Sequence, residues 1–415
     1  MKKTLFALGA AAGVLQALAV SVTVQKVQQR YPWNGKVDID YTVAYDEGEA
    51  SLDVTRDRLA FYAIDRAAAE PVTNLVANLA IAPTPTAAGL YRQTWNANAD
   101  GVTNVTADLE VFARVTHHVP KYMVVDLSAG KDAASYPVTY LDGEPVGGFG
   151  ANEYKGSKLV LRLIPAGNYL RGSPSTERGH SSTHEVQQPV MITKPFYIGI
   201  YEMTQKQHTL ITGSASSSYK GDYRPVDAIA WTTIRGLAWP ENRRPSDGSV
   251  VGKLSVRTGL KFDLPTEGQW EYACRAGATT PYNDGTAYAA NTEAEYKAHL
   301  NLLGRYNGNT GDGKGGYSGQ HTTVGTYLPN AWGLYDMHGN VCEYCLDEAT
   351  ASANIVSPNV DPIGEKSSAG AWTNPRGGSW NQDYGTARTA ARTFSFSRDN
   401  GGNPYVGYRV VVNVE

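Results

Sequence analysis

The feature that most restricts how this chain can fold is its glycine. Forty-three glycines are spread over 415 residues, and they are densest from Asn307 to Gly319, where nearly every second position is Gly. Glycine loses more conformational freedom on ordering than any other residue, so such a run excludes regular structure of any length. Long irregular loops of this kind need something to organise them, and a metal ion is a common means. Helix signals are few. Thr266 to Ala276 reads as one helix, with Thr266 as cap and Trp270 and Ala273 on one face, and Asp227 to Ala238 as a second.

The first half has another texture. Val37 to Val43 alternates apolar and polar residues, as does Leu109 to Val115, which is the pattern of half-buried strands. Tyr122 to Leu127 and Tyr136 to Leu141 are further strand candidates, separated by turn residues such as Asn96 to Gly101 and Asp142-Gly143. These predict a small β-sandwich over 20–151. Gly147 to Gly150 and Asn152 to Gly156 read as a linker, placed at 152–157, with a loop-rich domain over 158–415. His117-His118, the only paired histidines there, read as a solvent-exposed strand end rather than a metal site.

Residues 1–19 have the order of a secretory leader: Lys2 and Lys3, an apolar run from Thr4 to Leu15, and Ala17-Leu18-Ala19 as a cleavage site. The run is short for a membrane span, and no later segment supplies about 18 uninterrupted apolar residues. The expectation is bacterial export and a secreted, extracellular or cell-surface location, with no membrane span after leader cleavage. With 37 basic and 40 acidic residues the formal charge is −3, and no basic block occurs, which argues against nucleic acid as a partner. The three cysteines, Cys274, Cys342 and Cys345, cannot all pair within one chain. Cys342-Glu343-Tyr344-Cys345 spells C-x-x-C, read as a local disulfide or as free buried thiols.

From Lys158 onward seven ordered blocks resemble the formylglycine-generating-enzyme, or sulfatase-modifying-factor, family. They are Leu163 to Tyr169, Lys194 to Thr204 (KPFYIGIYEMT), Arg224 to Asp227 with Trp231, Leu264 to Ala273 (LPTEGQWEYA), Asn330 to Glu343 (NAWGLYDMHGNVCE), Arg376 to Trp380 (RGGSW) and Gly407 to Val410 (GYRV). The resemblance implies an α+β fold, a variant of the C-type-lectin fold with little regular secondary structure, behind the small β-sandwich. Independently of it, Trp270, Trp332 and Trp380 are the large apolar groups a loop-rich core needs. Arg376, Arg388, Arg392 and Arg409 suit bidentate ties to carboxylates such as Glu267 or Glu271.

Asp336, Gly339, Val341 and Glu343 combine hard carboxylate oxygens with backbone carbonyls, a donor set that suits calcium, and they match the family's calcium positions. Asn301, Leu302 and Asp312 are the candidates for a second site. The ion's role would be structural. The family's reaction, oxidation of a substrate cysteine, uses two cysteines that hold copper(I), which requires soft thiolates. Their positions here are Gln382 and Ala387, and no cysteine follows Cys345, so the sequence argues against copper. Other branches of the family hold iron through an HxxxHxE pattern. His180 and His184 give HxxxH, but Val186 stands at the next required position.

The expectation is therefore a calcium-stabilised binding, structural or assembly protein, a pseudoenzyme on this scaffold. Its partner would be a protein or glycan ligand, or another copy of itself. The ligand face would carry Gln382, Asp383, Tyr384, Arg388, Phe394, Phe396, Arg398 and Tyr405, a polar–aromatic mix typical of recognition surfaces. An oxidoreductase with altered metal chemistry and a retroelement-diversified receptor stand as the alternatives.

Overall fold

The computed structural model describes residues 20–32, 34–45, 57–65, 73–75, 79–80, 88–100, 109–117, 119–236, 244–310, 319–347, 359–363, 372–392, 395–399 and 401–414. The chain divides into two compact units, 1–119 and 120–415.

In the first unit the alternation becomes strands. They are β1 (Val20–Gln29), β2 (Lys36–Tyr45), β3 (Asp57–Asp65), β4 (Thr73–Leu75), β5 (Leu79–Ala80), β6 (Gly89–Asn96) and β7 (Leu109–His117). They form two antiparallel sheets, ordered β1-β2-β6-β5 and β4-β3-β7. Val37, Ile39, Tyr41 and Val43 point inward from β2, and they share one core with Leu59 and Phe61 of β3, Trp95 of β6 and Val111 of β7. The Tyr41 and Phe61 rings meet edge to face at 5.1 Å across the two sheets. The intervening Asp38 and Asp40 face outward and pair with Arg30 (2.8 Å) and Arg92 (2.5 Å). Each side chain buried in this way contributes about 1.5–3 kcal/mol relative to exposure.

The second unit begins earlier than the texture of the sequence suggests. Its strands are β8 (Tyr122–Asp126), β9 (Val138–Leu141), β10 (Lys158–Ile164), β11 (Gly167–Arg171), β12 (Gln188–Ile192), β13 (Phe196–Gly199), β14 (Phe262–Asp263), β15 (Cys342–Glu343), β16 (Trp372–Thr373), β17 (Phe396–Ser397), β18 (Val406–Gly407) and β19 (Val411–Asn413). Six of them make one antiparallel sheet, in the order β14-β19-β13-β10-β8-β9. The strands Tyr122–Asp126 and Val138–Leu141, grouped with the β-sandwich on sequence, thus pair with β10 instead. The expected linker is part of this unit as well. Phe149 is buried in its core, its carbonyl accepts from Tyr201 Oη at 3.1 Å, and Asn152–Lys155 forms a single helical turn, α1.

Five further helices are α2 (Gln205–Thr212), α3 (Trp231–Arg235), α4 (Val250–Thr258), α5 (Glu267–Arg275) and α6 (Glu293–Leu303). Of the second expected helix, Asp227 to Ala238, Trp231–Arg235 is helical as α3, and 237–238 lie outside the described residues. The expected cap on α5 is present: the Gln269 N–H donates to Thr266 Oγ1, and the Thr266 N–H donates back to Gln269 Oε1, each at 3.1 Å. This reciprocal arrangement satisfies two otherwise orphaned donors. Among the described residues no helix is long and apolar enough to cross a membrane.

Helix α5 is buried on nearly every side, so its two carboxylates must be neutralised inside the protein. Glu271 accepts from Arg275 (2.7 Å), Arg376 (2.6 Å) and the Gly172 N–H (2.8 Å). Glu267 accepts from Arg392 (3.0 Å), with Arg171 at 3.4 Å. Burial alone would raise the Glu271 carboxyl, but Arg275, Arg376 and Arg171 override it and hold the group down at about 2. Removing one partner of a buried pair strands the other charge. Glu271→Ala should therefore cost about 3–5 kcal/mol in urea unfolding; a loss under 1 kcal/mol would show that the network carries no stability.

Helix α2 gives a pH prediction. His208 Nδ1 lies 3.0 Å from Tyr408 Oη, and burial, assisted by Lys253, pushes the imidazole down to about 4. The unfolded value is about 6.5, so between these limits the unfolded chain binds more protons than the folded one. Stability from this group is complete above about pH 6.5 and is lost as the pH falls through about 4. Denaturant midpoints should fall across that window, and less steeply in His208→Gln.

Candidate functional site

The segment Asp336 to Glu343 coils tightly because Asp336, Gly339 and Asn340 all take positive φ (55°, 77° and 58°). At 339 only glycine fits, since a Cβ there would stand 2.1 Å from the Arg305 carbonyl oxygen. The coil turns two acidic side chains inward, Asp336 and Glu343, and Glu202 meets them from elsewhere in the chain. Asp336 Oδ2 accepts from the Gly325 N–H at 2.6 Å, while its Oδ1 is buried with no partner. Glu343 is held by Arg409 (2.5 and 2.6 Å) and by Trp270 Nε1 (2.7 Å). Glu202, just after β13, accepts from Asn340 Nδ2 (2.5 Å) and from the Val341 N–H (3.0 Å).

All four charged groups, Arg409 included, are buried to within 2% exposure. Three carboxylates face one guanidinium. Burial, then the neighbouring Asp336 and Glu343 charges, raise the Glu202 carboxyl well above the usual range. Burial chiefly pushes Asp336 up to about 6, against the pull of the Gly325 N–H and Arg409. The cluster thus disfavours ionisation of Glu202 and Asp336 unless a further cation is present, and it contains an orphaned buried oxygen. Both features suit a hard cation. Among the described residues no three His, Cys, Asp or Glu side chains gather as a metal cage, so an ion at this turn would draw on backbone oxygens as well.

Of the candidates for a second site, two lie on α6. Asn301 is exposed on α6, the Leu302 carbonyl already accepts the Leu328 N–H at 3.0 Å, and Asp312 lies outside the described residues.

Where the sequence places Gln382 and Ala387, the structure has an aromatic core. Ala387 is fully buried with Tyr282, Tyr296, Leu300, Leu303 and Tyr306, and Tyr288 and Tyr384 pack against them. Its carbonyl lies 2.7 Å from His338 Nδ1. A Cβ on Gly378 would meet Ala387 Cα at 2.8 Å, which accounts for the second glycine of RGGSW. Gln382 is half-buried; its backbone bonds to Ser379 and Asn307, and its Oε1 is buried without a partner. The three cysteines are free and buried. Burial pushes the Cys274 thiol up to about 12 and raises Cys342 and Cys345 further. Thiols protonated to this degree are poor nucleophiles and poor metal ligands.

The expected ligand face is only partly a surface. Arg388 points inward to Glu185 (2.8 and 2.9 Å) and Glu177 (2.5 Å). Arg398 is also buried, its guanidinium 4.4 Å from the centre of the Trp231 ring. Both are structural, because a long basic side chain in a loop can reach a buried carboxylate or ring as readily as solvent. Asp383 is exposed and accepts from the Gly385 N–H at 2.9 Å. Tyr384 Oη accepts from Arg178 Nε at 2.9 Å. Phe396 and Tyr405 are half-buried, with ring centres 5.7 Å apart. Phe394 and His118 lie outside the described residues. His180 Nδ1 and His184 Nδ1 bond locally to Ser173 (2.9 Å) and Thr183 (2.9 Å).

Two features escaped the sequence reading. Glu202 stands inside the KPFYIGIYEMT block, where an acidic residue among aromatic and aliphatic neighbours was the available signal. The other is a fully buried pair, His321 Nε2 and Asp227 Oδ2 at 2.7 Å; residues 94 positions apart left no local pattern.

Comparison with known proteins places these features in context. Residues 151–414 match the model of the sulfatase-modifying factor enzyme 1-like domain. The chaperone protein LppX of Paenibacillus barcinonensis is 26% identical over 242 residues, which cover 52% of this chain and 79% of that protein. The formylglycine-generating enzyme of Streptomyces coelicolor is 35% identical over 201 residues, 43% of this chain and 59% of that enzyme. This chain therefore spans less than two thirds of the Streptomyces enzyme. Among solved structures, PvdO from Pseudomonas aeruginosa aligns with a TM-score of 0.49 and 21% identity, over 62% of this chain and 95% of that one.

The buried thiols give a direct test. Ellman's reagent should leave Cys274, Cys342 and Cys345 unmodified in the native protein and titrate all three in denaturant. One fast-reacting thiol in the native state would reveal an open, activated cysteine.

Proposed function

The chain belongs to the sulfatase-modifying factor enzyme 1-like family, and from that premise we propose that it is an exported, calcium-stabilised binding or assembly protein that keeps the scaffold without oxidising cysteine. The donor chemistry at 382 and 387 carries this reading. The amide of Gln382 and the methyl of Ala387 are not ligands for copper(I), which requires soft sulfur donors. The aromatic packing around Ala387 supports a site given over to structure. The chaperone name of the Paenibacillus relative supports a binding role on such a domain.

The cation belongs to the same reading. Asp336 would supply its orphaned oxygen, and Gly339 and Val341 would supply carbonyls. Glu343 would serve from its place beside Arg409. When bound, calcium supplies charge neutralisation and cross-linking of loops, and no reaction step depends on it. The part of the face that reaches the surface, exposed Asp383 with half-buried Gln382, Tyr384, Phe396 and Tyr405, would meet a protein or glycan ligand.

Two measurements test this. Copper(I) titration with oxygen uptake on thiol peptides should give neither stoichiometric copper nor turnover; tight copper with conversion of a cysteine to an aldehyde refutes the reading. Calcium at about 100 times its dissociation constant should stabilise the protein by about 2.7 kcal/mol. EDTA should reverse that gain, and Asp336→Asn should abolish it.

A further inference from the structure

Glu202 is set apart from the other acidic residues of the cluster by what it holds. Glu343 is committed to Arg409 and Trp270, and Asp336 offers a free oxygen. Glu202 comes from a different part of the chain, and both its oxygens bond the acidic coil itself, one to Asn340 Nδ2 and one to the Val341 N–H. The Val341 peptide is thereby fixed in the middle of the coil. Asn340 is fixed too, and its Oδ1 in turn accepts from the Thr322 N–H at 2.8 Å. A chain of bonds runs from Glu202 through Asn340 to the segment that also donates Gly325 N–H to Asp336. Glu202 therefore anchors both sides of the space next to the orphaned Asp336 oxygen.

Its charge has a second effect. With all three carboxyls ionised around a bound cation, they stand against Arg409 and the weaker field of Lys155, and the charge left over is one that a divalent ion cancels; without Glu202 that negative charge is smaller by one. A group of this kind acts on an ion it need not touch, since outer partners orient ligands and set the local field.

We propose that Glu202 is the positioning residue of the cation site, orienting the Asn340–Val341 turn and supplying the charge that makes the site divalent; this rests on the calcium reading given above. The Glu202→Gln variant keeps the shape and one acceptor oxygen but removes the charge.

The test uses the full-length mature chain, stripped with EDTA and titrated with calcium by calorimetry and with terbium by luminescence. Wild type should bind both. Glu202→Gln should bind calcium about 10–100-fold more weakly and should lose more affinity for trivalent terbium than for calcium, because Coulomb attraction scales with ion charge. A role in packing alone would weaken both ions equally. If Glu202→Gln binds calcium within twofold of wild type, or if the terbium-to-calcium ratio does not change, the assignment is overturned while the calcium site stands. If wild type binds neither ion, the calcium reading falls first and takes this inference with it. Should Glu202→Gln fail to fold, Glu202→Asp keeps the charge and shortens the reach. It should bind calcium more weakly than wild type with the terbium-to-calcium ratio preserved, and wild-type affinity in that variant would overturn the positioning role.

Discussion

The second unit depends on the neutralisation of buried charge. Its regular elements are short, and α5 enters the core with Glu267 and Glu271 on it. Arginines from distant loops and strands converge on these two carboxylates: Arg171 from β11, Arg275 from α5 itself, Arg376 from the RGGSW turn and Arg392 from the segment that follows. Arg388 makes the same kind of tie with Glu177 and Glu185. A buried ion pair is weak evidence of stability for its own sake, because desolvation opposes the attraction. Its consequence here is geometric. Each guanidinium has a fixed fork of donors, so the loops carrying those arginines can close in few ways.

The Asp336 coil departs from that rule, and the departure gives it its functional interest. Around α5 the charges find partners; around Asp336 three carboxylates share one arginine, and an oxygen is left over. A protein interior tolerates such an imbalance only if something else completes it. Guanidinium forks thus hold loops around α5 in place of long strands and helices, while the acidic coil leaves a buried carboxyl oxygen without a protein partner. The aromatic nest at Ala387 holds its loops by side-chain packing instead.

Much of this was legible beforehand. The inward residues of β2 followed from a two-residue period, and the start of α5 followed from Thr266 as cap; the return bond from Gln269 was not read. The acidic coil was visible as closely spaced oxygen donors. Other features were not. The strands β8 and β9 read as two more strands beside those of the sandwich, and strand propensity alone does not say which neighbour a strand pairs with. Arg388 and Arg398 read as surface residues because a basic side chain in a loop gives no sign that a carboxylate or an indole from elsewhere will meet it. Glu202 lies 134 positions before Asp336 in sequence, and only the paired fold brings them together.

What the sequence determined by itself is local: that Val37 to Val43 and Leu109 to Val115 are strands, that a helix starts at Thr266, and that no cysteine follows Cys345. Those properties depend on backbone sterics, periodicity and donor chemistry, all of which act within a few residues. The tertiary structure alone decided which charges are matched and which are not. That balance is a sum over residues from separate strands, turns and loops, and it has no value until the chain has brought them within a few ångströms in a medium of low polarity.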